Sequence, residues 1–349
     1  MPDRYYEFDP EGDVTFVFED VPKSLPYRLG EINASFLSGI YDRKQSYPTS
    51  MSSEVAINRT PTTNLVQAVK SALSPSLHIR TSSKHLMLAS PHFKRTFQKG
   101  FQEGNELQST GYVKITTHDW KPLPFLLLMA ILHGQSQLVP RKLPLRRLTE
   151  MAILVDYYEC YEAVAMFADL WTEGIEERQQ KLSMGNAIKW LCIAWVFRQN
   201  RAFKDITRHL QLESKERVTP NGLPIPTNLI DTLQKSREMS IGKVIDSLHE
   251  LLERLRHGPQ QCGFGCDIMR LGALAKGMDE LEILSPKPEA PFSGYSFMSL
   301  MAGCYEIDKS YTYDSCRLMS DVLEMVGNEF PLLDAGFSLE SFSSLRTKA

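Results

Sequence analysis

Hydrophobic and polar positions follow one pattern in the first half of the chain and another in the second. Gly12-Asp13-Val14-Thr15-Phe16-Val17-Phe18 is β-branched and aromatic and follows an Asp-Pro-Glu-Gly turn signal, which predicts a strand. Leu77-His78-Ile79-Arg80-Thr81 and Tyr112-Val113-Lys114-Ile115-Thr116 predict a second and a third. Between these two, Leu86, Met87, Ser90, Phe93 and Phe97 recur at helical spacing. Ser82 or Ser83 is placed to cap that helix, and Pro91 to split it. Phe125 to Leu132 predicts an apolar helix ended by His133-Gly134, and Leu145 to Tyr158 and Tyr161 to Glu177 predict two more.

The second half has almost no strand pattern. Helices are expected over Ala187 to Phe197, around Phe203, Ile206 and Leu210, from about Thr227 to Arg256, from about Cys266 to Leu284, over Tyr295 to Ala302 and over Cys316 to Val326. In the longest, Ile241, Val244, Leu248, Leu251 and Leu255 make a seam too short for a coiled coil, so a core-facing helix is expected. The predicted fold class is α+β: a small sheet flanked by helices, then a mostly helical region.

The 349 residues suit two domains, placed at 1–177 and 178–349. From Ser46 to Ser76, 14 of 31 residues are Ser, Thr or Pro, too polar to bury much core. A flexible insertion at about 22–75 is therefore expected, with one short helix where Leu65, Val66, Ala68, Val69, Ala72 and Leu73 fall at helical spacing. Hydrophobic residues at 42% and charged residues at 23% are those of a globular chain. A net charge of −3 argues against a dedicated nucleic-acid binder. The longest apolar run, Leu123 to Leu132, is half of the roughly 20 residues that span a bilayer. The start is charged and has no apolar core of a signal peptide, so an intracellular chain, in cytoplasm or nucleus, is expected. Its six cysteines are then expected as thiols, and the sequons at Asn33 and Asn58 as unused.

Candidate chemistry is sparse. No phosphate-binding glycine loop and no nucleophile elbow is present. His249-Glu-Leu-Leu-Glu253 lacks the second His that a zinc protease needs one turn on, and its polar residues are expected on a solvated face. Cys262-Gly-Phe-Gly-Cys266 has the spacing of a zinc Cys pair, with Cys304, Cys316 or His257 as further candidates, against ordinary buried thiols. Thiols are the expectation, with no metal and no cofactor. Phosphate contact by the two basic clusters, Lys84/Lys94/Arg95/Lys99 and Arg141/Lys142/Arg146/Arg147, would need their charges on one face; given the acidic balance of the whole chain, both are expected as solvated surface. Trp190 and Trp195 are expected in the core.

Ser82-Ser-Lys-His-Leu-Met-Leu-Ala-Ser-Pro-His-Phe-Lys-Arg-Thr-Phe97 resembles the BTB/POZ domain, with Leu86, Ser90, Phe93 and Phe97 on the family's Leu, Ser, Phe and Phe. The strand from Gly12 looks like that family's first strand. Gly111-Tyr-Val-Lys-Ile-Thr and the helix to His133-Gly134 look like its third strand and following helix. Val139-Pro-Arg-Lys-Leu and Leu148-Thr-Glu-Met-Ala-Ile-Leu-Val-Asp-Tyr-Tyr are similar to a fungal group of BTB proteins. The resemblance covers about 9–177 apart from the insertion.

It implies a non-enzymatic interaction module that self-associates, recruits partners or links substrates to a cullin ubiquitin ligase; a transcriptional regulator is a further alternative. An enzyme on the helical half is the alternative of another class. Many members pair an Asp at the first strand with an Arg at the helix start. Asp13 matches the Asp, while the Arg position falls on Ser83, so the interaction pocket expected here is Asp13 with Lys84. Dimeric members also carry a helix before the first strand; 12 residues precede Asp13, too few for it. Expected partners are proteins, the chain itself or a cullin among them, with no membrane, nucleic acid or small-molecule substrate.

Overall fold

The computed structural model describes residues 3–19, 21, 25–26, 28–31, 76–173, 183–260, 263–310, 318 and 335–345. The chain is mixed α and β, with one small sheet and mostly helices, and divides into two compact units, Met1–Ile175 and Glu176–Ala349. Nearly all of the expected insertion, including the short helix at 65–73, lies outside the described residues, as does most of the segment Cys316 to Val326.

Unit 1 is built on a four-stranded sheet of order β1-β3-β2-β4, with β1 Arg4–Glu7, β2 Val14–Phe18, β3 Leu77–Thr81 and β4 Val113–Thr117. β2 runs antiparallel to β3 and parallel to β4, and β1 runs parallel to β3. Every residue of β2 is buried, which explains its continuous apolar run. The turn before it holds together through Asp9, whose carboxylate accepts from the Glu11 amide at 3.0 Å and whose carbonyl accepts from Gly12 at 3.0 Å. Gly12 is required there, because a Cβ would lie 2.5 Å from the Thr81 carbonyl oxygen.

Two short helices, α1 Ser83–Ala89 and α2 Pro91–Thr96, follow β3. They break at Ser90, whose hydroxyl accepts from the Phe93 amide at 3.1 Å and donates to the Tyr158 carbonyl at 2.5 Å. Pro91 then occupies the first helical position, where its missing N–H has no partner to lose. Leu86, Phe93 and Phe97 are buried. Phe93 stacks on Tyr158 at 4.5 Å and on Phe97 at 5.8 Å, and Phe16 meets Phe125 edge-on at 5.0 Å. Helix α3 Gln102–Thr110 precedes β4, and α4 Pro122–Leu132 follows it. Leu123 through Leu132 of α4 are all buried, so this apolar run is the center of unit 1. α5 Leu145–Tyr157 and α6 Tyr161–Thr172 close the unit, and Trp171 is anchored by its indole N–H on the Pro140 carbonyl at 2.7 Å.

Unit 2 is helical: α7 Met184–Val196, α8 Asn200–Glu213, α9 Thr227–His257, α10 Phe264–Glu280 and α11 Phe297–Ser310. The seam residues Ile241, Val244, Leu248 and Leu251 of α9 are fully buried against α10 and α11. Trp190 and Trp195 are buried in α7. α11 runs eight residues past the expected end at Ala302. Gly303 does not break it, because it sits where a Cβ would lie 2.6 Å from the Leu281 side chain; glycine here serves close helix packing. No helix among the described residues is long and apolar enough to cross a membrane.

Candidate functional site

The two expected pocket residues lie at the junction of β2 and α1. Asp13 precedes β2, and its carboxylate accepts from the Ser83 amide at 2.7 Å and from the Ser83 hydroxyl at 2.6 Å. It therefore caps α1 from a distant strand, while Ser82, the N-cap by position, makes no side-chain cap bond. Lys84 is exposed, and the structure joins Asp13 to Ser83 and not to Lys84. Asp13→Ala would strand both Ser83 donors and is expected to destabilise the folded chain by about 2–3 kcal/mol. Lys84→Ala is expected to move it by no more than about 0.5 kcal/mol. Chemical denaturation of the two variants checks this.

His133 completes the junction. Its Nε2 accepts from the Ser82 amide at 3.0 Å, so the ring proton sits on Nδ1, which donates to the Met129 carbonyl at 2.9 Å. The ring lies 5.1 Å from His85 and 5.6 Å from Phe8. Both nitrogens are held by backbone, so this imidazole cannot serve as a base to Ser83, whose hydroxyl is committed to Asp13. Burial lowers the His133 pKa from 6.5, outweighing the hydrogen bond to the Met129 carbonyl, which favours the protonated ring. Burial likewise lowers His78 and His92.

The unfolded chain then binds more protons than the folded one as pH falls below about 6.5, where free imidazoles titrate. This stability is fully present above that value and is lost as pH falls toward the lowered folded values. The urea midpoint of unit 1 is expected to drop between about pH 7.5 and about pH 5.5, with a shallower drop in His133→Gln.

The basic clusters are only partly the solvated surface expected: several of their cations are ion-paired, and Arg147 is buried. Arg95 forms a two-bond pair with Glu159. Arg147 is buried and pairs with Glu150 at 2.6 Å, while Lys121 at 2.5 Å and Arg146 at 3.5 Å share the same carboxylate. Arg141 and Lys142 are exposed. In unit 2, His249 is half-buried and its Nε2 bonds the Ile283 carbonyl at 2.8 Å. It thus ties α9 to the turn after α10 and does not lie on a solvated face.

Cys266 is buried at the start of α10 and Cys304 is buried in the core of unit 2, while Cys262 and Cys316 lie outside the described residues. His257 is exposed and pairs with Glu253. Among the described residues no three His, Cys, Asp or Glu side chains are placed to hold a metal ion. Burial pushes the Cys160 and Cys304 thiols up to about 12, which suppresses thiolate chemistry there. A cavity of about 420 Å³ opens beside the start of α7, with Met184, Ile188 and Leu210 in its lining and Arg217 and Glu216 among its charged residues. Both charges are occupied, Arg217 by Asp231 and Glu216 by Ser293 and Gly294.

The polar group that sequence reasoning missed is Arg237, on α9. It is 1% exposed, and its guanidinium donates to the carbonyls of Ser214, Lys215, Pro291, Phe292 and Tyr295 at 2.7–2.8 Å. It joins the loop after α8 to the loop before α11. Its sequence neighbors Ser236 and Glu238 gave no sign of this, because the acceptors are backbone atoms. Compared with protein-family models, with curated proteins and with solved structures, the chain gives no significant match.

Proposed function

We propose that the chain is a non-enzymatic protein–protein interaction protein whose N-terminal unit acts as a BTB/POZ-like domain, through self-association or partner recruitment. One observation supports this reading best. The segment that resembles the family folds as a helical hairpin, with Leu86, Phe93 and Phe97 buried over a sheet that contains the strand from Val14. The supporting helix ends at the expected His133-Gly134, and His133 bonds back to the start of the hairpin. These residues are core and carry the fold of the module; its activity would be burial of surface against a partner, at about 1,000 Å² or more for a stable complex.

Sedimentation of the purified full-length chain over a range of concentrations separates the two modes. Particles of about twice the 39.7 kDa chain mass are expected if self-association is the mode. A monomer throughout removes self-association and leaves recruitment of other proteins.

A further inference from the structure

We propose that Asn221-Gly222 is a modification site, where Asn221 converts to aspartate and isoaspartate without an enzyme, using only water and hydroxide ion. Asn221 is the only asparagine of the sequence followed by glycine. The structure also sets it apart from the other asparagines among the described residues. Asn105, Asn186, Asn200 and Asn228 lie within α3, α7, α8 and α9, and each precedes a helical residue that carries a side chain. Asn221 and Gly222 are both exposed, in a stretch, 214–226, that has no helix or strand. They are the central residues of a turn closed by the Leu223 amide on the Pro220 carbonyl at 2.9 Å, with φ of 49° and 76°. Positive φ at both positions is what favours Asn-Gly in such a turn.

The reacting groups are adjacent and open. The Gly222 amide donates to no acceptor among the described residues. Glycine has no Cβ to crowd that nitrogen, and the space around it is empty, since an added Cβ would meet nothing within 4 Å. The Asn221 Oδ1 accepts from the Thr219 hydroxyl at 3.0 Å, which stabilises negative charge as it develops on that oxygen. Nucleophile and carbonyl belong to one dipeptide, so they react as an intramolecular pair.

Hydroxide takes the proton from the Gly222 nitrogen, which attacks Cγ of Asn221. The bond from Cγ to the side-chain nitrogen breaks, and that nitrogen leaves as ammonia with a proton from water. The product is a five-membered succinimide. Water then adds to one of its two carbonyls and breaks that carbon's bond to the ring nitrogen. Opening at Cγ gives aspartate, and opening at the main-chain carbonyl gives isoaspartate. No electrons are gained or lost, so no oxidant or reductant is needed. Either product brings a carboxylate to a residue that lines the cavity of about 420 Å³, together with Lys215 and Arg217. Isoaspartate also adds a carbon to the main chain inside the turn. The rim of this cavity thus gains negative charge with the age of the molecule. The inference concerns unit 2 and is independent of the interaction reading of unit 1.

The test incubates the purified full-length chain for days at neutral and at mildly alkaline pH and resolves its charge variants by isoelectric focusing. An acidic species is expected to accumulate at the position of Asn221→Asp, whose side chain the turn accommodates because Asp tolerates positive φ. The tryptic peptide 218–235 carries both Asn221 and Asn228, so fragmentation locates the amide-to-acid mass gain, expected at 221 and absent at 228. The rate is expected to rise with pH, because the deprotonated amide is the nucleophile. Gly222→Ala puts a Cβ beside the attacking nitrogen and is expected to slow the conversion about tenfold. No acidic species, a mass gain at Asn228 with Asn221 intact, a rate that does not rise with pH, or an undiminished rate in Gly222→Ala would each overturn the proposal.

Discussion

Arg237→Met is expected to destabilise unit 2 by about 3–5 kcal/mol, a large fraction of what holds a domain of this size together. The guanidinium is buried with no carboxylate bonded to it, and five backbone carbonyls on two separate loops converge on it. Methionine fills a similar volume but leaves those carbonyls buried without donors. The loops at 214–215 and 291–295 then lose their common anchor. Arg237→Lys keeps the charge, yet an ammonium has three donors and no planar fork, so a loss of about 2 kcal/mol is still expected. Urea unfolding followed by circular dichroism checks both, and a lysine variant as stable as the parent would show that charge alone is what this site requires.

Phe93→Ala is the counterpart in unit 1, with an expected loss of about 3–5 kcal/mol. Phe93 lies between Tyr158, Phe97 and Phe16, so its removal opens a cavity that the hairpin, the sheet and α5 all line. Leu88, on the same hairpin, is 89% exposed. Leu88→Ala is expected to change stability by no more than about 0.5 kcal/mol, so the pair separates the hairpin's buried face from its open one. Thermal melts of the two variants give the comparison directly.

What was legible in the sequence followed from period and punctuation. β2, β3 and β4 carry β-branched runs between turn residues, and the hairpin carries three- and four-residue steps broken by a proline. β1 Arg4–Glu7 escaped because its inward residues are Arg4 and Tyr6. Arg4 reads as a surface residue, yet it is buried with its guanidinium on the Leu25 carbonyl at 2.6 Å. α3 escaped because Gln102–Thr110 has one large apolar residue, Leu107, and almost no buried face; its end is marked by Gly111 in the left-handed conformation.

Side-chain bonds to backbone explain the remaining differences at the sites. Asp13, His133, His249 and Arg237 all find partners among main-chain atoms, to which every residue type contributes equally. Spacing and composition therefore carry no trace of those partners.

We propose that this chain works by binding proteins through its N-terminal unit. Affinity purification of the tagged full-length chain from its native cells, with partners identified by mass spectrometry and a matched chain lacking residues 1–177 as control, tests it most directly. The expected result is a defined partner set, including untagged copies of the chain if it self-associates, that is lost with residues 1–177; a cullin in that set would specify the adaptor role. A partner set unchanged by the deletion would contradict it.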